Sequence, residues 1–204
     1  MSDKDYFLTI GQTGFAEYKD RGSRFIASAS PVKQTDDCKA FLQQLKQEHP
    51  KAVHHCFAYR LGQDGLVFRA SDDGEPSGTA GKQILGQIDS KQLTDTMVVV
   101  VRYFGGTLLG VPGLIQAYKS ATAMVLQLVP QVQKPVEACY RLSFDYSLMN
   151  EVMQLVKQTG CRVISQEMQL FSLVTIAIPK IRLEEVLFRL QDMHRVESNP
   201  CACS

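Results

Sequence analysis

Three carboxylates, Asp72, Asp73 and Glu75, lie within four positions of a short segment punctuated by glycine. Oxygen-rich clusters of this kind hold Mg²⁺, and one member of such a cluster can act as a general base. The same residues are typical of a turn, because Asp-Gly is a strong turn dipeptide and Ser77 or Thr79 would cap a helix that follows. Turn propensity favours the second interpretation, and both stay open at the level of sequence.

A second chemically suggestive segment begins where an apolar run ends. Residues 98–101 are four consecutive valines, which predict a strand that is buried on both faces. Arg102, Tyr103 and several glycines then lead into a helix. An arginine at the end of a buried strand must emerge beside a ligand, a carboxylate or solvent. An internal ion pair with one of the three carboxylates and recognition of a phosphate are equally favoured for Arg102.

Gly81 and Lys82 resemble the end of a phosphate-binding loop. The complete loop needs a glycine five positions before Gly81 and a hydroxyl after Lys82, where this sequence has Pro76 and Gln83. We therefore exclude a nucleoside triphosphatase. A helix N-terminus beside Thr79 and Lys82 remains a candidate site for one isolated phosphate, such as that of a nucleic-acid backbone.

The run His54-His55-Cys56 raises the question of a metal site. On a strand, His54 and Cys56 share one face and His55 takes the other. Two ligands on one strand do not make a zinc site, and no CxxC or HxxxH completes it. We predict neither a metal site nor a cofactor, and we interpret Cys56 as a packed core thiol. Cys201 and Cys203 either bind metal, oxidise or are incidental, and their role stays open.

The composition narrows the class of protein. The chain has 204 residues, 45% of them hydrophobic, and a net charge of +1, which argues against a protein coated in basic residues for bulk nucleic-acid binding. The polar N-terminus does not resemble a secretory signal, and no apolar run is long enough to span a membrane. Six cysteines without CxxC pairs are typical of reduced thiols. These features predict a cytoplasmic protein with no membrane partner.

The candidate residues are positioned by a mixed pattern of helices and strands over residues 1–132. The predicted strands are a hairpin over residues 14–21 and 23–32, a second pair over residues 52–61 and 66–71, and the valine strand. The predicted helices are one capped by Asp36 or Asp37 with the apolar face Cys38, Phe41, Leu42 and Leu45, a short one over residues 79–88, and one with the face Leu114, Ala117, Ala121, Val125 and Leu128.

Two prolines bracket a polar stretch at residues 128–135, which we interpret as a linker. Residues 137–204 then follow the order β-α-β-β-α-β, with a first helix capped by Ser147 and ended by Gly160, and a second strand over residues 161–169. This order in so short a chain is typical of a ferredoxin-like, split βαβ domain. The predicted fold class is therefore α+β, in two domains.

These residues together resemble the IMPACT family, and closely its bacterial YigZ-type members. The resemblance covers most of the first domain, in the stretches at residues 23–26, 54–56, 71–81, 98–106, 110 and 113–118. It implies a ribosomal-protein-like α/β sandwich, the fold class of the fourth domain of elongation factor G, followed by a domain like that factor's ferredoxin-like fifth domain. Eukaryotic relatives regulate translation initiation by competing for the activator of a starvation-responsive kinase. For a bacterial relative, the resemblance implies association with RNA or the ribosome.

Three hypotheses for function follow. The first is a non-enzymatic regulator of translation that binds RNA, the ribosome or a protein of the translation machinery. The second is a metal-assisted hydrolase or phosphoryl-transfer enzyme that uses the three carboxylates. The third is a protein-interaction module in which the acidic segment engages a basic partner.

The first hypothesis predicts a defined binding surface. Arg102 and Lys82 would contact phosphate, and Tyr103 would stack on a base. The glycines would permit a close approach of the ligand to the backbone. The full predicted surface comprises Arg102, Tyr103, Gly105, Gly106, Thr79, Gly81, Lys82, His54 and His55.

Overall fold

The computed structural model describes residues 4–168 and 171–203. The chain divides into two compact units, unit 1 over Phe7–Lys134 and unit 2 over residues 4–6, 135–168 and 171–203. Residues 1–3 and 204 of the predicted domains, and the predicted end of a strand at Gln169, lie outside the described residues.

Eleven strands and five helices make up the described chain. The strands are β1 (Tyr6–Ile10), β2 (Gly14–Asp20), β3 (Ser23–Pro31), β4 (His54–Leu61), β5 (Val67–Ser71), β6 (Thr96–Tyr103), β7 (Gln131–Pro135), β8 (Glu137–Phe144), β9 (Arg162–Met168), β10 (Ser172–Pro179) and β11 (Glu197–Cys201). The helices are α1 (Thr35–Glu48), α2 (Gly81–Ser90), α3 (Gly110–Leu128), α4 (Met149–Gln158) and α5 (Leu183–Asp192).

Unit 1 is built on an antiparallel sheet in the order β2-β3-β6-β4-β5. The valine strand β6 lies at its centre, and its four valines have no exposed surface, as predicted. Val98 and Val100 pack in one core with residues of α2 and α3, whereas Val99 and Val101 pack in a second core with residues of α1. Alternate residues of β6 therefore face different helices.

Two details of the unit 1 helices differ from the sequence prediction. The first turn of α1 is capped by Gln34, and Asp37 accepts a hydrogen bond from the Gln34 backbone N–H as the third residue of a capping box. Leu128 is 67% exposed, because α3 ends there and the extended Val129 turns into the core in its place.

The predicted linker is wrong over its second half. Residues 131–135 form β7, which pairs with β1 in a two-stranded sheet. The backbone N–H of Gly11 also donates to the Pro130 carbonyl at 2.8 Å. The pairing with β1 gives hydrogen-bond partners to backbone N–H and C=O groups of this segment. Its polar side chains gave no sign of a strand.

Unit 2 has the predicted order β-α-β-β-α-β. Its antiparallel sheet runs β11-β8-β10-β9, and its core joins α4 and α5 to β8 and β10. The predicted cap at Ser147 is wrong: the Asp145 carboxylate accepts from the Ser147 N–H at 2.9 Å, and a short 3₁₀ turn precedes α4. Gly160, at φ +67°, follows the helix as predicted.

The expectation that all six cysteines are reduced is also wrong, because Cys139 and Cys203 form a disulfide. Strand β11 pairs with β8 and brings the end of the chain beside Cys139, with 5.3 Å between the two Cα atoms. Within the described residues, no helix combines the length and the apolar character that crossing a membrane requires.

Candidate functional site

Asp72 organises the acidic turn, by which we mean residues 72–80. Its Oδ1 accepts from the N–H groups of Ala80 and Gly81 at 2.9 and 2.8 Å, and its Oδ2 accepts from that of Gly78 at 2.9 Å. The predicted cap at Ser77 or Thr79 is therefore wrong, since Asp72 caps α2 from outside the helix. This carboxylate already occupies the helix N-terminus where the sequence placed an isolated phosphate.

The acid–base chemistry of Asp72 follows from these bonds. Burial raises the pKa of a carboxyl group, but the three backbone donors outweigh it and hold the pKa of Asp72 below its usual value. A carboxylate that is ionised and already saturated with donors is a poor general base near neutral pH.

The three carboxylates of the acidic turn diverge. Asp73 accepts from the backbone N–H of His55 at 2.7 Å, while Glu75 points into the core with only 3% of its side chain exposed. Across residues 4–168 and 171–203, no group of three or more His, Cys, Asp and Glu is placed to hold a metal ion. The metal cluster expected by the hydrolase hypothesis is thus not assembled by Asp72, Asp73 and Glu75.

Glu75 is the centre of a buried polar network. Its Oε1 accepts from Arg102 Nη1 at 2.6 Å and from the Tyr118 hydroxyl at 2.8 Å. The side chains of Arg102 and Glu75 are 8% and 3% exposed. Of the two hypotheses for Arg102, the internal ion pair is the one found. The guanidinium is not displayed to a phosphate at the surface.

The surroundings of Arg102 are set by strand register. Phe25 on β3 and His54 on β4 both lie opposite Arg102, and all three point to the α2–α3 side. The guanidinium lies 5.5 Å from the ring centroid of Phe25 and 5.8 Å from that of Phe104. The rings supply cation–π contacts in a site where Arg102 Nε has no hydrogen-bond partner in the described part of the chain.

Cys56 completes the network, and the prediction of a packed core thiol is confirmed. The thiol is fully buried, and its single proton can be donated either to the Asp72 carbonyl, 2.9 Å from Sγ, or to the Tyr118 hydroxyl, 3.2 Å away. Burial raises the pKa of Cys56 to about 12. Burial, with Cys56 and Glu75 close by, also raises the pKa of Tyr118. Neither group supplies an anionic nucleophile near neutral pH.

Sequence reasoning did not assign Tyr118 to this network. The available signal was a tyrosine beside Ala117 on the apolar face of α3, where its hydroxyl requires a partner once the ring is buried. The partner, Glu75, lies far away in sequence and could not be identified from local spacing.

Tyr103 and His55 lie on the other face of the sheet. The Tyr103 hydroxyl lies 3.0 Å from Nδ1 of His49, the residue that follows α1, and the Arg24 guanidinium lies 5.8 Å from the Tyr103 ring centroid. His55 is buried, its Nε2 has no partner among the described residues, and burial lowers its pKa. The predicted surface is therefore divided between two faces, and the side chains of the neighbouring residues Arg102 and Tyr103 lie on opposite sides of the sheet.

The glycines of the predicted surface differ in how closely they approach other parts of the chain. A Cβ on Gly105 would lie 1.9 Å from the Gly22 carbonyl carbon, and one on Gly81 would lie 2.6 Å from the Ser71 nitrogen. At these two positions the close approach is to the chain's own backbone. A Cβ on Gly106, at φ +86°, would meet nothing within 4 Å among the described residues beyond its two chain neighbours, and so it borders open space.

Three large apolar side chains are exposed in the glycine loop, by which we mean residues 104–109, and at the start of α3. Phe104 is 50%, Leu108 82% and Val111 51% exposed. Lys82, in the first turn of α2, is exposed as well. The sequence prediction named Lys82 and Gly106 but overlooked the apolar side chains.

The acidic turn and the glycine loop both lie in a part of the chain that matches known proteins. Residues 21–126 match the family model of the Impact N-terminal domain. A Haemophilus influenzae protein named IMPACT family member is 39% identical over 155 residues, 75% of either chain. The Escherichia coli IMPACT family member YigZ is 36% identical over 176 residues, covering 85% of this chain and 86% of that one.

A solved structure shows the same likeness over nearly the whole chain. The crystal structure of a hypothetical protein, 30% identical, matches with a TM-score of 0.80 and covers 98% of this chain and 100% of its own. The arrangement of helices and strands described above is therefore shared with a protein that has been observed experimentally.

Proposed function

This chain belongs to the IMPACT family, and we propose that it is a non-enzymatic regulator of translation that associates with RNA or the ribosome through the glycine loop. The proposal includes a cytoplasmic location. It also assigns unit 1 to the ribosomal-protein-like class of the fourth domain of elongation factor G, and unit 2 to the ferredoxin-like class. The strand order β11-β8-β10-β9 supports the second assignment.

The observation that carries the proposal is the exposure of the glycine loop. Phe104 and Leu108 present apolar surface to solvent in the loop that follows β6, a strand that is buried from Thr96 to Arg102. Aromatic side chains that stack on bases, combined with cations that contact phosphates, are the usual means of binding single-stranded nucleic acid. We therefore assign the stacking role to Phe104, and Lys82 keeps its predicted phosphate role.

Arg102 has a positioning role in this proposal. It lies near the end of β6, one residue before Tyr103 and two before the glycine loop, and its partner Glu75 lies within the acidic turn. The ion pair therefore ties the base of the glycine loop to the acidic turn. Thr79 and Gly81 support the same turn, through the bond from the Thr79 hydroxyl to the Pro76 carbonyl at 2.7 Å and through close packing on Ser71.

The state of the buried groups supports binding rather than catalysis. The oxygens of Asp72 are engaged by backbone donors, Glu75 is enclosed, and the Cys56 thiol has a pKa of about 12. No member of this set offers both accessibility and a pKa near neutrality, which acid–base and nucleophilic catalysis require.

Sedimentation of the tagged protein in a bacterial lysate through sucrose gradients tests the proposal, at low and moderate salt and with and without RNase. We expect co-migration with ribosomal particles that salt weakens and RNase alters, because phosphate contacts release counterions. Phe104→Ala and Lys82→Ala should each reduce co-migration. The matched controls Phe188→Ala and Lys157→Ala, which remove an exposed phenylalanine and an exposed lysine of unit 2, should not.

The outcomes separate the three hypotheses. Co-migration that survives RNase and depends on Asp73, the most exposed carboxylate of the acidic turn, would point to a protein partner. A protein that stays at the top of every gradient would contradict the proposal. If Mg²⁺ or Mn²⁺ then raised the melting temperature and Asp73→Asn abolished the shift, metal-dependent chemistry would take its place.

A further inference from the structure

Three cysteines of unit 2 lie together where the edge strand β11 meets its neighbour β8. Cys139 on β8 is disulfide-bonded to Cys203, and in the strand register the residue directly opposite Cys139 is Cys201. Cys201 is an unpaired, half-buried thiol, and Cys203 is exposed. Cys139 therefore has two cysteines within reach and is bonded to one of them.

The geometry allows either pairing. Residues directly opposite in an antiparallel pair have Cα atoms about 4.5–5.5 Å apart, which lies within the range of about 4.4–6.8 Å for disulfides. The Cα atoms of Cys139 and Cys203 are 5.3 Å apart. Opposite residues also project from the same face of a sheet, so the Cys201 thiol lies on the side of β8 that carries Cys139.

We propose that Cys139, Cys201 and Cys203 form a thiol–disulfide exchange site in which Cys139 pairs alternately with Cys203 and Cys201. The Cys201 thiolate attacks Cys139 Sγ, the Cys139–Cys201 bond forms, and the Cys139–Cys203 bond breaks. Cys203 leaves as a thiolate and takes up the proton that Cys201 lost. The exchange is internal and consumes no oxidant.

The first disulfide forms in an ordinary two-electron oxidation. A small disulfide, such as oxidised glutathione, accepts two electrons and two protons from a pair of the cysteine thiols and is itself reduced to two thiols. The exchange then moves the covalent attachment to Cys139 by two residues, from Cys203 to Cys201. Oxidation of the site therefore ties the segment 201–203 covalently to β8, and reduction releases it.

The distribution of a single alkylation tests the exchange in the wild-type protein. The oxidised chain is treated with N-ethylmaleimide and cleaved after Arg141 and Arg195, which places Cys139 and the two tail cysteines in different peptides. We expect one label per chain among the three cysteines, divided between Cys201 and Cys203. The division should be reached faster at higher pH, because the thiolate is the nucleophile. Label found at Cys201 alone at every time and pH would overturn the proposal.

Two variants at partly exposed positions give an independent test. In glutathione buffers that oxidise the wild type, Cys203→Ser should form a Cys139–Cys201 disulfide, and Cys201→Ser should form a Cys139–Cys203 disulfide with no labelled thiol left among the three positions. Cys161→Ser removes a half-buried thiol elsewhere in unit 2 and should behave as the wild type. A Cys203→Ser protein that stays fully reduced in these buffers would contradict the proposal.

Discussion

The acidic turn and the glycine loop hold equivalent places in unit 1, since each follows a strand of the same sheet and leads into a helix, yet their polar groups are treated differently. In the acidic turn, Asp72 alone accepts three backbone hydrogen bonds, and Glu75 is enclosed by Arg102 and Tyr118. The glycine loop is anchored by a bond from the Gly105 N–H to the Ser23 hydroxyl at 3.2 Å and leaves Leu108 82% exposed.

The comparison shows that the type of a residue does not tell whether its side chain is free to contact a ligand. Carboxylates in a sequence suggest reactive groups. A carboxylate that accepts hydrogen bonds from the backbone of its own turn, however, has little capacity left to bind a ligand. Glycines and apolar residues look inert, but on an exposed loop they leave backbone and ring surfaces uncovered. In unit 1 the acidic turn, with its three carboxylates, stabilises the fold, and the glycine loop is the candidate contact surface.

The largest expected effect is the loss of the buried ion pair. Arg102→Ala leaves Glu75 buried without its cation, which should lower the free energy of unfolding by about 3–5 kcal/mol. Urea denaturation measures the loss. Arg24→Ala removes an arginine from an ion pair with Glu17 whose side chains are 50% and 34% exposed, and should cost much less. Equal losses in the two variants would contradict the assignment of Arg102 as a buried anchor.

The second largest effect is expected at Gly105, and substitution of its neighbour Gly106 should lower the free energy of unfolding by less. Gly105→Ala places a methyl group against the backbone of Gly22 and Ser23, and we expect a loss of about 3 kcal/mol from overpacking. The methyl group of Gly106→Ala meets nothing within 4 Å in residues 4–168 and 171–203 other than its chain neighbours, so we expect only the strain of a positive φ, about 1–2 kcal/mol. Denaturation midpoints in the reverse order would contradict the close packing of Gly105 on Gly22.

Removal of the helix cap should have a smaller effect that depends on pH. Asp72→Ala should lower the free energy of unfolding by about 1–2 kcal/mol at pH 7, because three N–H groups lose their acceptor. The folded-state pKa of Asp72 is depressed, so this contribution is present above its ordinary value of 3.8 and is lost as the pH falls further.

Unfolding free energies measured from pH 7 to pH 3 check this expectation. The difference between the wild type and Asp72→Ala should shrink towards the acid end. Asp36→Ala, which removes an exposed carboxylate from the first turn of α1, should cost less at pH 7. A difference that stays constant with pH would mean that the charge of Asp72 does not stabilise the cap.

The smallest effect on stability is expected for substitution of Leu108, the most exposed apolar side chain of the glycine loop. Leu108→Ser should change the free energy of unfolding by less than about 0.5 kcal/mol, because the side chain is 82% exposed. Its neighbour Leu109 is 6% exposed, and Leu109→Ala should cost about 2 kcal/mol or more. A stable Leu108→Ser protein that no longer co-migrates with ribosomal particles would assign this residue to the contact surface.

Local patterns predicted the elements that bury one apolar face. The hairpin of β2 and β3, the valine strand and the β-α-β-β-α-β order of unit 2 follow from hydrophobic period and turn residues, which act within a few positions. The alternation of His54, His55 and Cys56 across the sheet is correct for the same reason.

Contacts between distant segments were not predictable. The strand pair of β1 and β7, the bond from Tyr118 to Glu75 and the Cys139–Cys203 disulfide each join residues with no local signal for one another. The helix caps at Gln34 and Asp145 were missed by two or three positions, because several neighbouring residues compete as hydrogen-bond acceptors there.

The sequence by itself determined which segments carry the chemistry of this protein and which elements hold them, because side-chain period and turn chemistry are local properties. Only the tertiary structure decided what those segments are free to do. Arg102 is a cation in any conformation, but whether it meets a phosphate or a buried carboxylate depends on which loop the fold places against it. That choice is made by the folding of the whole sheet, where the cost of burying an unpaired charge selects the partner.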